Sequence, residues 1–301
     1  MDDLILANAR VIDGLGGVME RATVRVAGNR IAEVEAGADV EPKPGGEVID
    51  LSGRTLMPAL IDAHIHFSSY PTLPEPLRGE EPRAPALRYF ELANHARALV
   101  EMGVLTVRDV GSGDDHALHL RQAIQLGLCQ GPRVLACGRI VSATSLGCRI
   151  FTTMYRPADG CDEARKAVRE QLMMGADFVK VMTTGARSVV LEDPEPAQLT
   201  REEVRTIVEE AHRMGSRVAA YVEGLEGGRI TVEEGGGHDR TRTLPPPRAG
   251  VARPYSIERP VPGSDPLDLP QPLARHRREV SLRARRSSYA PARRGLREAI
   301  S

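Results

Sequence analysis

From Pro58 onward, short apolar runs alternate with longer amphipathic ones, and this alternation restricts the chain's fold more than any other feature. Candidate strands fall at 59–63, 104–108, 133–137, 178–182 and 217–221, with candidate helices near 87–102, 115–127, 162–174 and 201–214. Strands separated by helices pair in parallel, because a parallel neighbour needs a long crossover. The last helix carries its own start and stop signals. Thr200 and Glu203 form a capping box, Val204, Ile207, Val208 and Ala211 share one face, and Gly215 follows the end. Five strands and four helices make a little over half of an eightfold cylinder, so the expected class is α/β, an incomplete TIM-type (β/α)8 barrel.

Before Pro58 the period is different. Residues 3–56 alternate Val, Ile and Leu with Gly, Asn and Asp, and Ala22–Ala27, Gly28-Asn29 and Arg30–Val34 read as a hairpin about a turn dipeptide. The expected organisation is a small β-sandwich-like layer at 1–57, a partial barrel at 58–235 and an Arg/Pro-rich tail at 236–301. Aromatic residues are 3% of the chain and Trp is absent, so aliphatic side chains must form the core. There is no apolar run of about 18 residues, and Met1-Asp-Asp-Leu lacks a basic leader, which gives a cytoplasmic expectation and no membrane partner. Cys129, Cys137, Cys148 and Cys161 match no C-x-x-C pattern and read as reduced structural thiols.

Two short segments carry the chemistry. In Met57-Pro-Ala-Leu-Ile-Asp-Ala-His-Ile-His66, side chains two apart share a strand face, so His64 and His66 point the same way at the strand's C-terminal end. In a barrel that end holds the active site, and paired imidazoles there can hold a zinc-type ion. The second segment is Asp177-Phe-Val-Lys-Val-Met-Thr-Thr-Gly-Ala-Arg187. Of the three lysines, Lys43, Lys166 and Lys180, only Lys180 lies inside an apolar strand. A buried ammonium is costly unless neutralised or paired. Deprotonation followed by addition of carbon dioxide gives a carbamate able to bridge two metal ions. The alternative is a lysine turned outward between helices, or one paired with Asp109 or Asp177.

These segments, with the leader Leu4–Gly14 and Val48–His66, resemble the opening of the amidohydrolase superfamily, in its dipeptidase-like and imidazolonepropionase-like branch. Ala59 stands where the family usually has Gly. The resemblance runs from about residue 3 to about residue 235. It implies a leader layer completed by strands returning from the C-terminus. It also implies a binuclear centre with a divalent metal, zinc in the first instance: His64 and His66 on one ion, carboxylated Lys180 bridging, and two later histidines on the other. A bridging hydroxide would attack a carbonyl carbon, with a late Asp as general base and then acid. The substrate would be a small-molecule amide, dipeptide or cyclic amide. The third ligand is expected as the His of Val-Ala-Ala-His-x-x-Gly, but the chain reads Val218-Ala-Ala-Tyr-Val-Glu-Gly224. Tyr221 is thus a degenerate metal position, and no catalytic residue is assigned.

Other candidates rank lower. Arg139, Ser142, Thr144, Ser145 and Arg149 lie in the long segment 138–160 and are candidate substrate contacts, with solvated loop residues as the alternative. The Pro-rich segment 67–86 reads as a pocket loop or as disorder. His95, His116, His119 and His212 read as surface residues of helices. Residues 236–301 hold 14 Arg, 6 acidic residues and 10 Pro, which forbids regular structure. Read one base out of frame, 237–244 can encode Asp-Thr-Ile-Glu-His-Gly-Leu, similar to the family's next strand. The tail is therefore expected to be a truncated or frameshifted end, leaving the first and fifth barrel strands as open edges in a poorly folded, impaired hydrolase. Two rival readings stay open: a non-catalytic interaction protein with a basic nucleic-acid-binding arm, which the frame argument disfavours, and a mononuclear deaminase of the same superfamily. Homo-oligomerisation is left open.

Overall fold

The computed structural model describes residues 3–37, 46–69 and 85–238. Most of the 67–86 segment, Lys43 and residues 239–301 of the tail lie outside the described residues.

The leader folds as one mixed five-stranded sheet. Strands β1 (Asp3–Ile12), β2 (Val18–Ala27), β3 (Arg30–Ala36), β4 (Glu47–Asp50) and β5 (Thr55–Leu56) run in the order β3-β2-β1-β4, with β5 also on β1. The hairpin at Gly28-Asn29 is present: β2 and β3 pair antiparallel from Ala27↔Arg30, and Gly28 takes the positive φ of 63° that the turn requires. Among the described residues the expected sandwich-like layer is represented by one sheet. Ala9, Val11, Ala22 and Val24 form one buried face, whereas all of β3 is exposed, so the described residues build one sheet with one covered face.

The βα series then follows as expected, with small shifts of boundary. Its elements are β6 (Leu60–Ile65), α1 (Leu87–Glu101), β7 (Val104–Asp109), α2 (His116–Gln125), β8 (Arg133–Ala136), β9 (Ile140–Ser142), α3 (Leu146–Phe151), β10 (Tyr155–Pro157), α4 (Cys161–Met173), β11 (Phe178–Met182), α5 (Arg201–Arg213), β12 (Arg217–Tyr221), α6 (Leu225–Glu233) and β13 (Gly237–His238). Two parallel sheets result, β6-β7-β8 and β10-β9-β11-β12-β13. They meet where the Asp177 N–H donates to the Ala136 carbonyl at 2.8 Å and the Ala136 N–H donates to the Asp177 carboxylate. Among the described residues the strands do not close on themselves.

Two sequence expectations change here. Segment 138–160 is not plain loop, because the buried pair Ile140-Val141 seeds β9, and α3 and β10 follow. The fifth barrel strand, β12, is not an open edge along its whole length, since β13 pairs with it at Ala219↔Gly237 and Ala220↔His238.

Strand β11 shows how the packing works. All five of its residues are buried, and alternation divides them between two faces. Val179 and Val181 pack with Ala164, Ala167 and Val168 of α4 and Val204 and Ile207 of α5. Phe178 packs on the opposite side with Val110, Cys137 and Ala219. The α5 capping box is formed, with the Glu203 N–H donating to Thr200 Oγ1 and the Thr200 N–H to Glu203 Oε2 at 2.7 Å. All four cysteines are free thiols. No helix among the described residues is long and apolar enough to cross a membrane.

Helices α4 and α5 are also joined by charge. Glu210 accepts from Arg169 Nε of α4 at 2.6 Å and from Arg213 at 2.5 Å, and its side chain is only 6% exposed. These arginines, Arg169 first, hold the Glu210 carboxyl well below its ordinary 4.5, at about 2. Both are more than half exposed, so solvent screening keeps the clamp weak. Because the folded value is the lower one, this contribution is complete above pH 4.5 and is lost as pH falls toward 2. Denaturant unfolding of Glu210→Gln should show a lower midpoint than wild type at pH 7 and a narrower gap at pH 3.

Candidate metal centre

His64 and His66 reach one place because β6 is irregular. Pairing with β7 runs Asp62↔Val107 and then Ile65↔Asp109, so three residues of β6 oppose two of β7 and a bulge falls at Ala63-His64. Arg108 Nε donates to the Ala63 carbonyl at 2.7 Å and so satisfies the backbone at the bulge. Beyond it Ile65 is buried against the helices, and the two imidazoles lie together with ring centroids 5.2 Å apart and planes at 77°.

The ends of β6 and β7 are locked by a buried carboxylate. Asp109 Oδ2 accepts from the Phe67 N–H at 2.8 Å and from Ser112 Oγ at 2.7 Å, and Oδ1 accepts from the Gly111 N–H at 3.1 Å. Burial pushes the Asp109 carboxyl up to about 6, with these three donors pulling the other way. Gly111 in turn offers its carbonyl to His66 Nδ1 at 2.8 Å. Ser68 and Gly113 continue the lock, Gly113 N–H to Ser68 Oγ at 3.0 Å. The following turn holds Asp114 and Asp115 at φ of 52° and 55°, a left-handed pair without glycine.

Lys180 projects from β11 on the side opposite Val179 and Val181 and is 1% exposed. The outward orientation weighed from the sequence is therefore excluded. Asp177 pairs with Arg121, and Asp109 accepts from the three donors above. Lys180 Nζ lies 5.8 Å from the centroid of the Tyr221 ring. His64, His66, Lys180 and Tyr221 line a single cavity of about 220 Å³. Its remaining wall is mostly apolar, formed by Ile140, Met154, Met182, Ala186 and the stacked pair Phe151 and Tyr155, whose rings are 5.2 Å apart. Burial, the largest cause, pushes the Tyr155 phenol well above its ordinary range.

Tyr221 donates its hydroxyl to Glu223, a cavity residue that sequence reasoning did not single out. Glu223 is also paired with Arg187, Nε to Oε2 at 3.0 Å. Among the described residues no three His, Cys, Asp or Glu side chains form a metal-binding group.

None of the five proposed substrate contacts lines this cavity. Arg139 donates to the Thr153 and Tyr155 carbonyls, Ser142 is fully buried beside Cys148, and Thr144 bonds Asp159. Ser145 precedes α3 with its Oγ 4.0 Å from Cys148 Sγ, and Arg149 is exposed on α3. These side chains shape the segment that carries Phe151, Met154 and Tyr155 to the cavity. His119 Nδ1 lies 3.0 Å from the Tyr89 hydroxyl, and the His116 ring packs edge-on against Tyr89, so both belong to the α1–α2 contact.

The profile of the Amidohydrolase family matches residues 55–256. The chain belongs to this family. The matched range includes the stretch from Pro58 to Gly235 on which the sequence resemblance rests. Ochratoxinase of Aspergillus niger is 29% identical over 249 residues, 75% of this amidohydrolase chain and 51% of the relative. The chain thus spans about half the length of that relative. Among solved structures, a Xaa-Pro dipeptidase with bound methionine in the active site superposes with a TM-score of 0.68 at 27% identity, covering 78% of this chain and 60% of that one. The structure of A. niger ochratoxinase gives 0.67 at 26% identity, covering 78% and 59%.

Gly111 packs closely on Ile140: its φ is +138°, and a Cβ there would lie 2.4 Å from Ile140 Cγ1. Gly111→Ala should lower stability by about 1–3 kcal/mol through overpacking, read as a drop in the denaturant midpoint.

Proposed function

We propose that this amidohydrolase cleaves C–N bonds in small amides, dipeptides or cyclic amides with a divalent metal, zinc first, held in the cavity of His64, His66 and Lys180. The observation that carries this reading is the meeting of two imidazoles and a buried lysine from separate strands in one cavity. The donor chemistry fits: neutral imidazole suits zinc, and a buried amine that becomes a carbamate turns a poor donor into an oxygen ligand. When bound, the ion supplies a water activated near neutral pH and polarises the scissile carbonyl.

The chain's own residues set the surroundings. Met154, Phe151 and Tyr155 exclude water from one side and accept an apolar substituent of the substrate, while Glu223 and Arg187 present charge on another. The site lies on 58–235, the partial TIM-type barrel. Tyr221 does not fit the second-ion position as an imidazole would, because its hydroxyl is given to Glu223. This supports an impaired enzyme, with one ion well held and the second poorly held. The lysine in the cavity favours this reading over a mononuclear deaminase that makes no use of Lys180.

Native mass spectrometry after incubation with zinc and bicarbonate should show bound metal and one added carbon dioxide, both lost in Lys180→Ala. Metal retention without the added carbon dioxide, unchanged in Lys180→Ala, would instead support the deaminase reading. Tyr221→His should raise the zinc content per chain, read by metal analysis of the purified variant, as expected when an imidazole replaces a phenol at a ligand position.

A further inference from the structure

We propose that Asp109 is a positioning residue that sets the tautomer of His66, so that Nδ1 carries the proton and Nε2 presents its lone pair. Its importance for metal binding rests on the reading of His66 as a ligand given above. The tautomer itself does not.

The argument begins with the acceptor. The Gly111 oxygen lies 2.8 Å from His66 Nδ1. A carbonyl can only accept, so a neutral His66 in this geometry must place its hydrogen on Nδ1. The lone pair then belongs to Nε2. What needs explaining is why that carbonyl stays in place, since it belongs to a loop residue at φ +138° against Ile140.

Asp109 supplies the reason from both sides of the imidazole. Through Oδ1 it holds the N–H of Gly111, the residue whose carbonyl orients the ring. Through Oδ2 it holds the N–H of Phe67, the residue directly after His66. Ser112 Oγ, also on Oδ2, fixes the rotation of the carboxylate. One side chain therefore fixes the backbone that carries His66 and the backbone that receives its proton. A carboxylate can accept from all three donors, whereas an amide would turn an NH2 group toward an N–H. Fully buried, Asp109 works without competition from water. It acts on the ring through Gly111, which makes it a positioning residue.

The test uses the full chain, labelled with nitrogen-15 and free of metal. Long-range proton–nitrogen correlation spectra distinguish pyrrole-type from pyridine-type imidazole nitrogens, and loss of a signal set in His66→Gln assigns His66. Wild type should show His66 as the Nδ1–H form. In Asp109→Asn the Nδ1–H form should lose its majority while the amide spectrum stays dispersed, and Ser112→Ala should give an intermediate population. An Nε2–H tautomer in wild type, or an unchanged Nδ1–H population in both variants, overturns the proposal. Should Asp109→Asn fail to fold, Ser112→Ala decides: a reduced Nδ1–H population supports the assignment, and an unchanged one overturns it.

A zinc titration of the same samples separates this inference from the functional reading. Asp109→Asn should bind zinc about 10–100-fold more weakly, as expected for loss of a group that orients a ligand. If wild type binds no zinc yet the tautomer responds as stated, the positioning role stands and the metal reading fails. If wild type binds zinc and Asp109→Asn binds it equally with an unchanged tautomer, the metal reading stands and the positioning role fails.

Discussion

The Asp109 carboxylate, buried with three donors around it, is the interaction on which the site depends. Removing a carboxylate from water is unfavourable by several kcal/mol unless its lone pairs are occupied. Here the Phe67 and Gly111 N–H groups and the Ser112 hydroxyl occupy them, and those same groups would be orphaned without the acid. The cost and its remedy lie in adjacent strand ends, so the ends of β6 and β7 form one rigid body. His66 takes its orientation from that body, and the cavity takes one of its walls.

Lys180 is a constraint of the opposite kind. Strand β11 is covered on both faces, so each residue must suit either the helix side or the inner side. Val179 and Val181 suit the first, and Phe178 and Met182 suit the second. A lysine between them shortens no loop and fills no apolar gap that leucine would not fill better. Its place is intelligible from the inner cavity, where two imidazoles and the Tyr221 ring surround it. The fold thus brings together groups that lie more than a hundred residues apart in sequence, through nothing more than strand alternation and parallel order.

Much of this was legible from residue patterns. The series of strands and helices from Pro58 and the Thr200 cap follow from periodicity, because period 2 and period 3.6 leave different apolar traces, whereas the direction of Lys180 was left open by it. The bulge at Ala63-His64 was not legible, since it arises from a mismatch with β7 that Arg108 stabilises from another strand. Strand β9 is three residues long, below the length at which alternation can be told from chance. Glu223 and the Asp109 network depend on tertiary approach. The only sequence trace of the latter is an acidic residue closing a strand just before Gly111. Sequence alone does not tell a loop arginine that satisfies backbone carbonyls from one that meets a ligand, and Arg139 bonds the carbonyls of Thr153 and Tyr155.

The turn after this lock, Asp114-Asp115, holds two consecutive residues with left-handed backbones. Glycine would enter that conformation at lower cost, but it would leave it as easily. Side chains in that region narrow the set of conformations open to the loop in the unfolded chain as well as the folded one. The start of α2 thereby gains stiffness, and the cost of the left-handed backbone is partly offset by the narrower unfolded ensemble. The loop is less a connection than a splint, set slightly against its own preference so that the neighbouring imidazole does not drift.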